Sequence, residues 1–364
     1  IISGTEKKTV KREKRESGEK IFRGMEMDNK LTRKRLSDYL SYEWILMIIV
    51  IVAAIVLWEL VYSVSAVRLT SGQQFKYYYD ENVVAGSDGG LFDLIIGEDG
   101  KETFGYDVLD VSYEQLSSQY NVLSVRLSVY EGDAIFTDAT EDENGASRFK
   151  SVVDGNSVYT YDRLFSDGVN YLSTFLKAEF SSASYEERVK LVYDYNNLDE
   201  GKIEARFTER MKGDNRFRSD AQKAEGKELE KGRIKKLCLE MKKFGYLLEY
   251  GKENGLFNTY TKYEYTLANA DDRDKDSYRK AVDREISEGR ENAAYGLKVE
   301  KLTGGKNVSE YLRVSGKDTA EGVTLVLFDF YNVKEAKLYD LQFETVSFIN
   351  KLVEEFSDIY SVFN

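Results

Sequence analysis

The sequence predicts an α/β protein in which one N-terminal transmembrane helix is followed by a mixed α/β domain. A long apolar run begins at Trp44, and from about residue 70 onward short apolar segments bounded by turn residues alternate with amphipathic stretches. Of the 364 residues, 42% are hydrophobic and 32% are charged, which is typical of globular chains. These patterns divide the chain into a basic, disordered cytoplasmic tail over residues 1–43, a transmembrane anchor over 44–66 and an exported domain over 70–364.

The apolar run is long enough to cross a lipid bilayer. An α-helix rises 1.5 Å per residue, so about 20 residues cover the roughly 30 Å of bilayer hydrocarbon, and Trp44–Val64 meets that length. Tyr42 and Trp44 at one end and Trp58 and Tyr62 at the other fit the aromatic belts of the two interfaces. The run lacks the polar stripe of a soluble core helix. The sequence therefore predicts that the lipid bilayer is a partner of Trp44–Val64.

The charges that flank this run predict its orientation. Only Arg68 follows it closely, whereas four basic residues precede it: Lys30, Arg33, Lys34 and Arg35. Because cytoplasmic flanks carry the excess of lysine and arginine, we expect the N-terminus in the cytoplasm and the C-terminal domain outside.

A cleaved signal peptide is the alternative for the same segment. Small residues at Val64 and Ala66 allow cleavage after Ala66, behind a basic region and an apolar core. Both alternatives export the residues that follow. Upstream, the charged stretch Ile1–Gly24 indicates a flexible arm or an extension that precedes a start at Met25 or Met27.

The composition excludes several kinds of chemistry. The chain has no histidine, which excludes a serine triad with a histidine base and a histidine-ligated metal site. The single cysteine, Cys238, cannot form an internal disulfide or a thiolate metal cluster. From Leu60 onward there are 40 basic and 55 acidic residues, and this acidic surplus argues against nucleic acid as a partner. We expect no cofactor and no metal.

The first part of the exported domain predicts an α/β unit with a parallel pair of strands. Strands are expected at Phe75–Tyr79, within 91–100, within 102–111 and within 133–139. Between the last two, helical spacing of apolar residues predicts a helix with Ser112 as its N-cap, ending at Gly132. A strand, a helix and a second strand in this order favour a parallel pair.

The second part predicts a charged helical middle, a strand-rich segment and a terminal helix. Within 201–254, six residues form one apolar stripe, which indicates a buried helix face: Ile234, Leu237, Cys238, Met241, Phe244 and Leu248. Residues 269–292 indicate an exposed helix or linker. Strands are expected in 295–302, 311–316 and 323–328, and the closing helix carries Leu341, Val346, Ile349, Leu352, Val353 and Phe356.

Two short motifs could carry chemistry. Three carboxylates, Glu131, Asp133 and Asp138, flank the strand in "EGDAIFTD", where paired acids could serve acid and base catalysis or simply cap turns. The glycines and lysine of "TGGKNVS", Thr303–Ser309, lack the spacing of a phosphate loop and predict a hairpin turn.

A helix ending in "LSVYEGD" followed by the strand "AIFTD" resembles the helix-to-strand step in the first lobe of extracytoplasmic, type 2 periplasmic-binding-like solute-binding proteins. The resemblance covers Gln73–Asp138, more loosely "VTLVLFD" and the last helix, and extends to uncharacterised single-pass bacterial membrane proteins that carry such a domain. It implies two lobes, about 70–200 and 201–364. Family members anchored by lipid carry a cysteine behind the signal, and none follows Ala66 here.

The resemblance also implies a function and a site. A small solute of a transport system would bind between the lobes, at the carboxyl ends of strands, where Tyr79, Asp80 and Asp138 are the candidate ligand-binding residues. The alternative is a scaffold or protein-interaction module of the cell envelope, anchored beside a transporter or another envelope complex and without a small ligand. Both are binding functions, and no catalytic constellation favours an enzyme.

Overall fold

The computed structural model describes residues 44–65, 71–86, 90–97, 101–116, 121–212, 214–330 and 342–363, together with Ser37 and Leu69. It confirms a mixed α/β fold preceded by one apolar helix. The chain divides into two units, residues 1–66 and 67–364. Apart from Ser37, the expected cytoplasmic tail lies outside the described residues, as does Ala66.

The first unit contains helix α1 (Trp44–Ser65). Its segment Trp44–Tyr62 has a mean hydropathy of 2.8 and no share buried inside the protein. Among the described residues it is the one helix that is long and apolar enough to cross a membrane. The prediction of a segment able to span is therefore confirmed by length and composition.

The second unit contains eight strands and eleven α-helices among its described residues. The strands are β1 (Gln74–Tyr79), β2 (Val83–Ala85), β3 (Asp110–Gln115), β4 (Ala134–Asp138), β5 (Phe257–Tyr260), β6 (Ala293–Lys298), β7 (Leu312–Val314) and β8 (Val323–Leu327). The helices are α2 (Gly90–Ile96), α3 (Lys101–Phe104), α4 (Asn121–Ser128), α5 (Arg148–Gly155), α6 (Tyr161–Ser173), α7 (Tyr185–Val192), α8 (Glu200–Arg210), α9 (Asp220–Asn254), α10 (Glu264–Asn269), α11 (Lys275–Ser287) and α12 (Glu344–Phe356).

Six of the strands form one mixed sheet in the order β3-β1-β4-β8-β6-β5. β1 lies parallel to both β3 and β4 and between them. The two strands expected to pair, within 102–111 and within 133–139, are therefore not neighbours, and the first overlaps β3 only at its last two residues. β8 lies antiparallel to β4 and to β6, and β5 is antiparallel to β6. A separate antiparallel pair joins β2 to β7.

The centre of the sheet is buried on both faces because helices cover both. Along β1, Phe75, Tyr77 and Tyr79 point to one face and Tyr78 to the other, and each is at most 2% exposed. The first three belong to the larger apolar core, which α2, α6, α9 and α12 also fill. Tyr78 packs in a smaller core with residues of α4 and α5.

Helix α9 confirms the predicted apolar stripe. All six stripe residues are at most 4% exposed. The helix begins with a capping box between Ser219 and Gln222 and ends at Gly255 in the left-handed conformation. Burial raises the pKa of the Cys238 thiol to about 12, as expected for a packed, unreactive side chain. The terminal helix is confirmed as α12, with Leu341 outside the described residues.

Several predicted elements were wrong. The strand expected within 91–100 is helix α2, because Leu91 and Ile95 lie one turn apart and bury together. Ser112, expected as an N-cap, lies inside β3, whose pairing with β1 overrides the helical spacing. The described part of the helix is α4, Asn121–Ser128. The 303–309 segment is no hairpin turn, since Gly304 bridges to Ser357 beyond α12.

The two expected lobes are not separated in the sheet. Residues 70–200 contribute β1, β3 and β4 and residues 201–364 contribute β5, β6 and β8, joined by the β4–β8 pairing. Residues 67–364 belong to one compact unit. A two-lobed arrangement is therefore not confirmed by the described residues.

A buried network of charges joins three helices to the loop before β3. Glu230 of α9 binds Arg233 at 2.8 Å and Arg210 of α8 at 2.8 Å. Arg233 also binds Glu344 of α12 at 3.0 Å, and Arg210 binds Asp107. Burial alone would raise the pKa of Glu230, but the charges of Arg233 and Arg210 lower it to about 2.

Replacing Glu230 with Gln should strongly destabilise the domain. The substitution leaves two buried guanidinium groups without their shared carboxylate, and breaking a buried ion pair in this way costs about 3–5 kcal/mol. Urea unfolding of the detergent-solubilised chain measures the loss. Asp276→Asn breaks an exposed pair with Arg279 and should cost under about 1 kcal/mol. Equal effects of the two substitutions would contradict a central role for the network.

Candidate ligand-binding site

The carboxyl ends of β1 and β4 lie side by side at one end of the sheet. The two strands are adjacent and parallel, with Tyr79 opposite Phe136. The chain leaves β1 for β3 on one side and then crosses to β4 on the other. Such a reversal of strand order is where open α/β sheets bind ligands. Tyr79 ends β1, Asp80 follows it and Asp138 ends β4, so all three predicted residues lie at this end of the sheet.

The side chain of Asp80 is fully engaged within the protein. It is 4% exposed, and its backbone N–H donates to the Phe136 carbonyl at 2.9 Å. Its carboxylate accepts hydrogen bonds from the Thr137 hydroxyl at 2.8 Å and from the Glu81 N–H at 2.7 Å. Arg148 adds a third donor at 3.3 Å. These contacts hold β1 against β4 and α5, and a ligand contact by Asp80 stays a prediction.

Three partners of this cluster were missed by sequence reasoning: Thr137, Arg148 and Gln115. Arg148 also pairs with Glu81, and so binds both acids that follow β1. The Gln115 amide donates to the carbonyls of Asp80 at 2.8 Å and Val83 at 3.2 Å. The only sequence signal that could have indicated one of these partners is Ser147. As a typical N-cap residue it predicts the start of α5, whose first residue is Arg148.

Tyr79 lies in the apolar core. Its ring is 2% exposed and stacks on Phe136 at 5.6 Å between centroids. Its hydroxyl donates to the Tyr77 hydroxyl at 3.4 Å, and burial raises the pKa of Tyr79 above its ordinary value. These contacts describe a packed side chain, so a ligand contact by Tyr79 stays a prediction.

Asp138 shapes the turn after β4. Its Oδ1 accepts the Thr140 N–H at 2.8 Å, and the side chain is 8% exposed. Gly322, at φ +90, packs beside it, and a Cβ there would come within 2.8 Å of the same oxygen. Among the described residues, no hydrogen bond joins Asp138 to Asp80, although both carboxylates lie at the same end of the sheet.

The remaining carboxylates of the motif lie at the opposite end of β4. Five residue steps separate Asp133 from Asp138, about 17 Å at 3.3 Å per residue. This distance exceeds the separation that paired acids use in glycoside hydrolysis. Glu131 instead binds Lys76 at 2.8 Å and Arg126 at 2.9 Å, while Asp133 accepts the Lys76 N–H at 2.8 Å. Asp133 and Asp138 therefore cannot act as a catalytic pair.

Two cavities are described, and none of the three predicted residues lines either one. A cavity of about 300 Å³ lies beside β5, and a more open one of about 420 Å³ lies beside α7. Within the described ranges, no group of three or more acidic or cysteine side chains is arranged to hold a metal ion.

Comparisons with protein-family models, with curated proteins and with solved structures find no match to this chain. The function must therefore be inferred from the fold, the sheet edges and the cavities.

Asp133 should make stability depend on pH. Burial raises the pKa of this half-buried carboxyl from 3.8 to about 7, although the Lys76 N–H opposes the shift. Between these two values the folded state holds a proton that the unfolded state releases, so stability falls as pH rises.

Asp133→Asn should remove this pH-dependent loss, because its amide oxygen still accepts the Lys76 N–H. The measurement is the free energy of unfolding from pH 4 to 8, with the exposed Asp318→Asn as the control. If the Asp133 variant kept the wild-type slope, Asp133 would not be the titrating group.

Proposed function

We propose that the chain is a single-pass membrane protein whose acidic α/β domain lies outside the cytoplasm and binds a partner protein of the cell envelope. The length and hydropathy of α1 support the anchor, and the basic residues before it support a cytoplasmic N-terminus. The internal bonding of Asp80 and Asp138 favours a protein partner over a solute at the strand ends.

The exposed edge of the sheet at β3 is the observation that carries this function. Within the described part of the chain, β3 pairs with β1 on one side and with no strand on the other. About half of the residues in a parallel edge strand direct their N–H and C=O groups away from the neighbour. Two large apolar side chains lie on or beside this strand, Leu109 at 41% and Tyr113 at 42% exposure.

An extended segment of a partner protein fits this edge. Addition of a strand gains affinity from backbone hydrogen bonds and specificity from alternate side chains. The ring of Tyr113 is fixed in place by neighbouring rings and is still partly exposed to a partner. Its centroid lies 5.9 Å from that of Tyr77, on which it stacks, and 5.4 Å from that of Phe92. The partner segment would place apolar side chains against Leu109 and Tyr113.

Binding of a small solute is the second candidate, as the resemblance to two-lobed solute-binding proteins implies. The 300 Å³ cavity beside β5 favours it, since its size is at the lower end of the range for ligand pockets. A division into lobes at about residue 200 belongs to this candidate.

Cysteine labelling tests the orientation. Ser181→Cys places an exposed thiol in the domain, whereas native Cys238 is 0% exposed and should not react with a maleimide. A membrane-impermeant maleimide should label residue 181 in intact cells and should label Ser37→Cys only after permeabilisation. The reverse pattern would overturn the orientation. Labelled protein in the membrane fraction supports an anchor, and labelled protein in the medium supports cleavage after Ala66.

Photo-crosslinking tests the partner surface. A benzoylphenylalanine at Tyr113 should form one dominant adduct with another protein in intact cells, and Leu109→Lys should abolish it because charge blocks strand addition. Ile286, 44% exposed in α11, is the matched control and should give no such adduct. Equal crosslinking at both positions, or adducts between copies of this chain only, would contradict binding of a partner at β3.

A further inference from the structure

The cavity beside β5 lies between the ends of three helices. It is walled by the N-terminal turn of α6, the C-terminal turn of α9, strand β5 and the turn that follows α11. Its volume of about 300 Å³ has room for roughly ten water molecules at 30 Å³ each. A ligand of about ten non-hydrogen atoms would fill it.

Backbone conformation keeps this space open. Gly255 ends α9 at φ +66 and Gly289 follows α11 at φ +74. At both positions the chain turns in the left-handed conformation, and no side chain enters the cavity there. An added Cβ at either glycine would meet no atom within 4 Å. Asn292, at φ 49, continues the second turn. Phe257 and Ala294 supply the apolar part of the lining.

The charged lining carries both signs in equal number. Asp162 of α6 and Lys252 of α9 form an ion pair at 2.6 Å and are 49% and 56% exposed. Arg290 and Glu291 add one further charge of each sign. Exposed ion pairs of this kind contribute little to stability, so each side chain can exchange its present partner for a charged group of a ligand.

We propose that this cavity binds a small zwitterion, of amino-acid or dipeptide size. The ligand carboxylate would bind Lys252, its ammonium group would bind Asp162, and its remaining atoms would lie on Phe257 and Ala294. A ligand of a single charge would leave one member of the pair without a partner. This inference goes beyond protein binding at β3 and does not depend on it, while it gives the solute-binding candidate a site and a ligand class.

Isothermal titration of the detergent-solubilised full chain with glutamine and with glycylglycine tests the proposal. We expect saturable binding of at least one of them below about 10 mM. Glucose and N-acetylglutamine amide, which lack the two opposite charges, should bind at least tenfold more weakly. No binding of either zwitterion, or equal binding of glucose, would overturn the proposal.

Two kinds of variant locate the binding. Thr259 is exposed and lines the cavity on a strand, so Thr259→Trp should fill the space and reduce affinity at least tenfold. Thr208→Trp, on the exposed face of α8, should leave affinity unchanged. Lys252→Met should also weaken binding tenfold, with the exposed Lys280→Met as its control.

Binding that survives both Thr259→Trp and Lys252→Met would overturn this site. Crosslinking at Tyr113 involves none of these residues, so failure of the cavity proposal and failure of the partner proposal are separate outcomes.

Discussion

The fold depends on the insertion of β8 at the centre of the sheet. All five residues of this strand are buried, and it pairs with β4 on one side and β6 on the other. Within the described sheet, no other strand connects the parallel strands of the first half to the antiparallel β5–β6 pair of the second. The β4–β8 pairing joins residues far apart in the chain, such as Asp138 and Val323, which are 185 positions apart, so the chain must close a long loop before its core is complete.

This central position decides which parts of the sheet remain open for binding. The strand ends beside β8 are used to hold the sheet together, as the bonds of Asp80 to Thr137 and Arg148 show. The two outer strands are β3 and β5, at opposite edges. Their surroundings differ, because β3 presents apolar side chains whereas β5 borders a cavity of mixed charge. The two proposed sites therefore fit different ligands. The edge at β3 fits an extended, apolar protein segment, and the cavity beside β5 fits a small zwitterion.

The sequence predicted the elements whose apolar pattern is visible within the element itself. The strands β1, β4 and β8 were found because each is a short apolar or aromatic run bounded by turn residues, and the helices α9 and α12 because their apolar residues recur every third and fourth position. β3 was missed because its conformation depends on pairing with β1, and helical spacing nearby was the stronger local signal. Asp80 was placed correctly at a strand end, but its pairing with Arg148, 68 positions away, follows no local pattern. That pairing could therefore not be predicted.

The charge around β3 explains how an acidic domain can present an edge strand to a partner. Exposed edges usually carry charges that prevent pairing with other chains. Glu114 on β3 is neutralised by Lys76 at 2.7 Å and by Arg126 at 3.4 Å, and both cations also bind Glu131. These four side chains sum to zero, so the middle of the strand is nearly neutral although the chain as a whole carries a net charge of −12. The remaining surface repels other copies of the acidic domain, and the edge stays accessible to a segment that approaches along the strand.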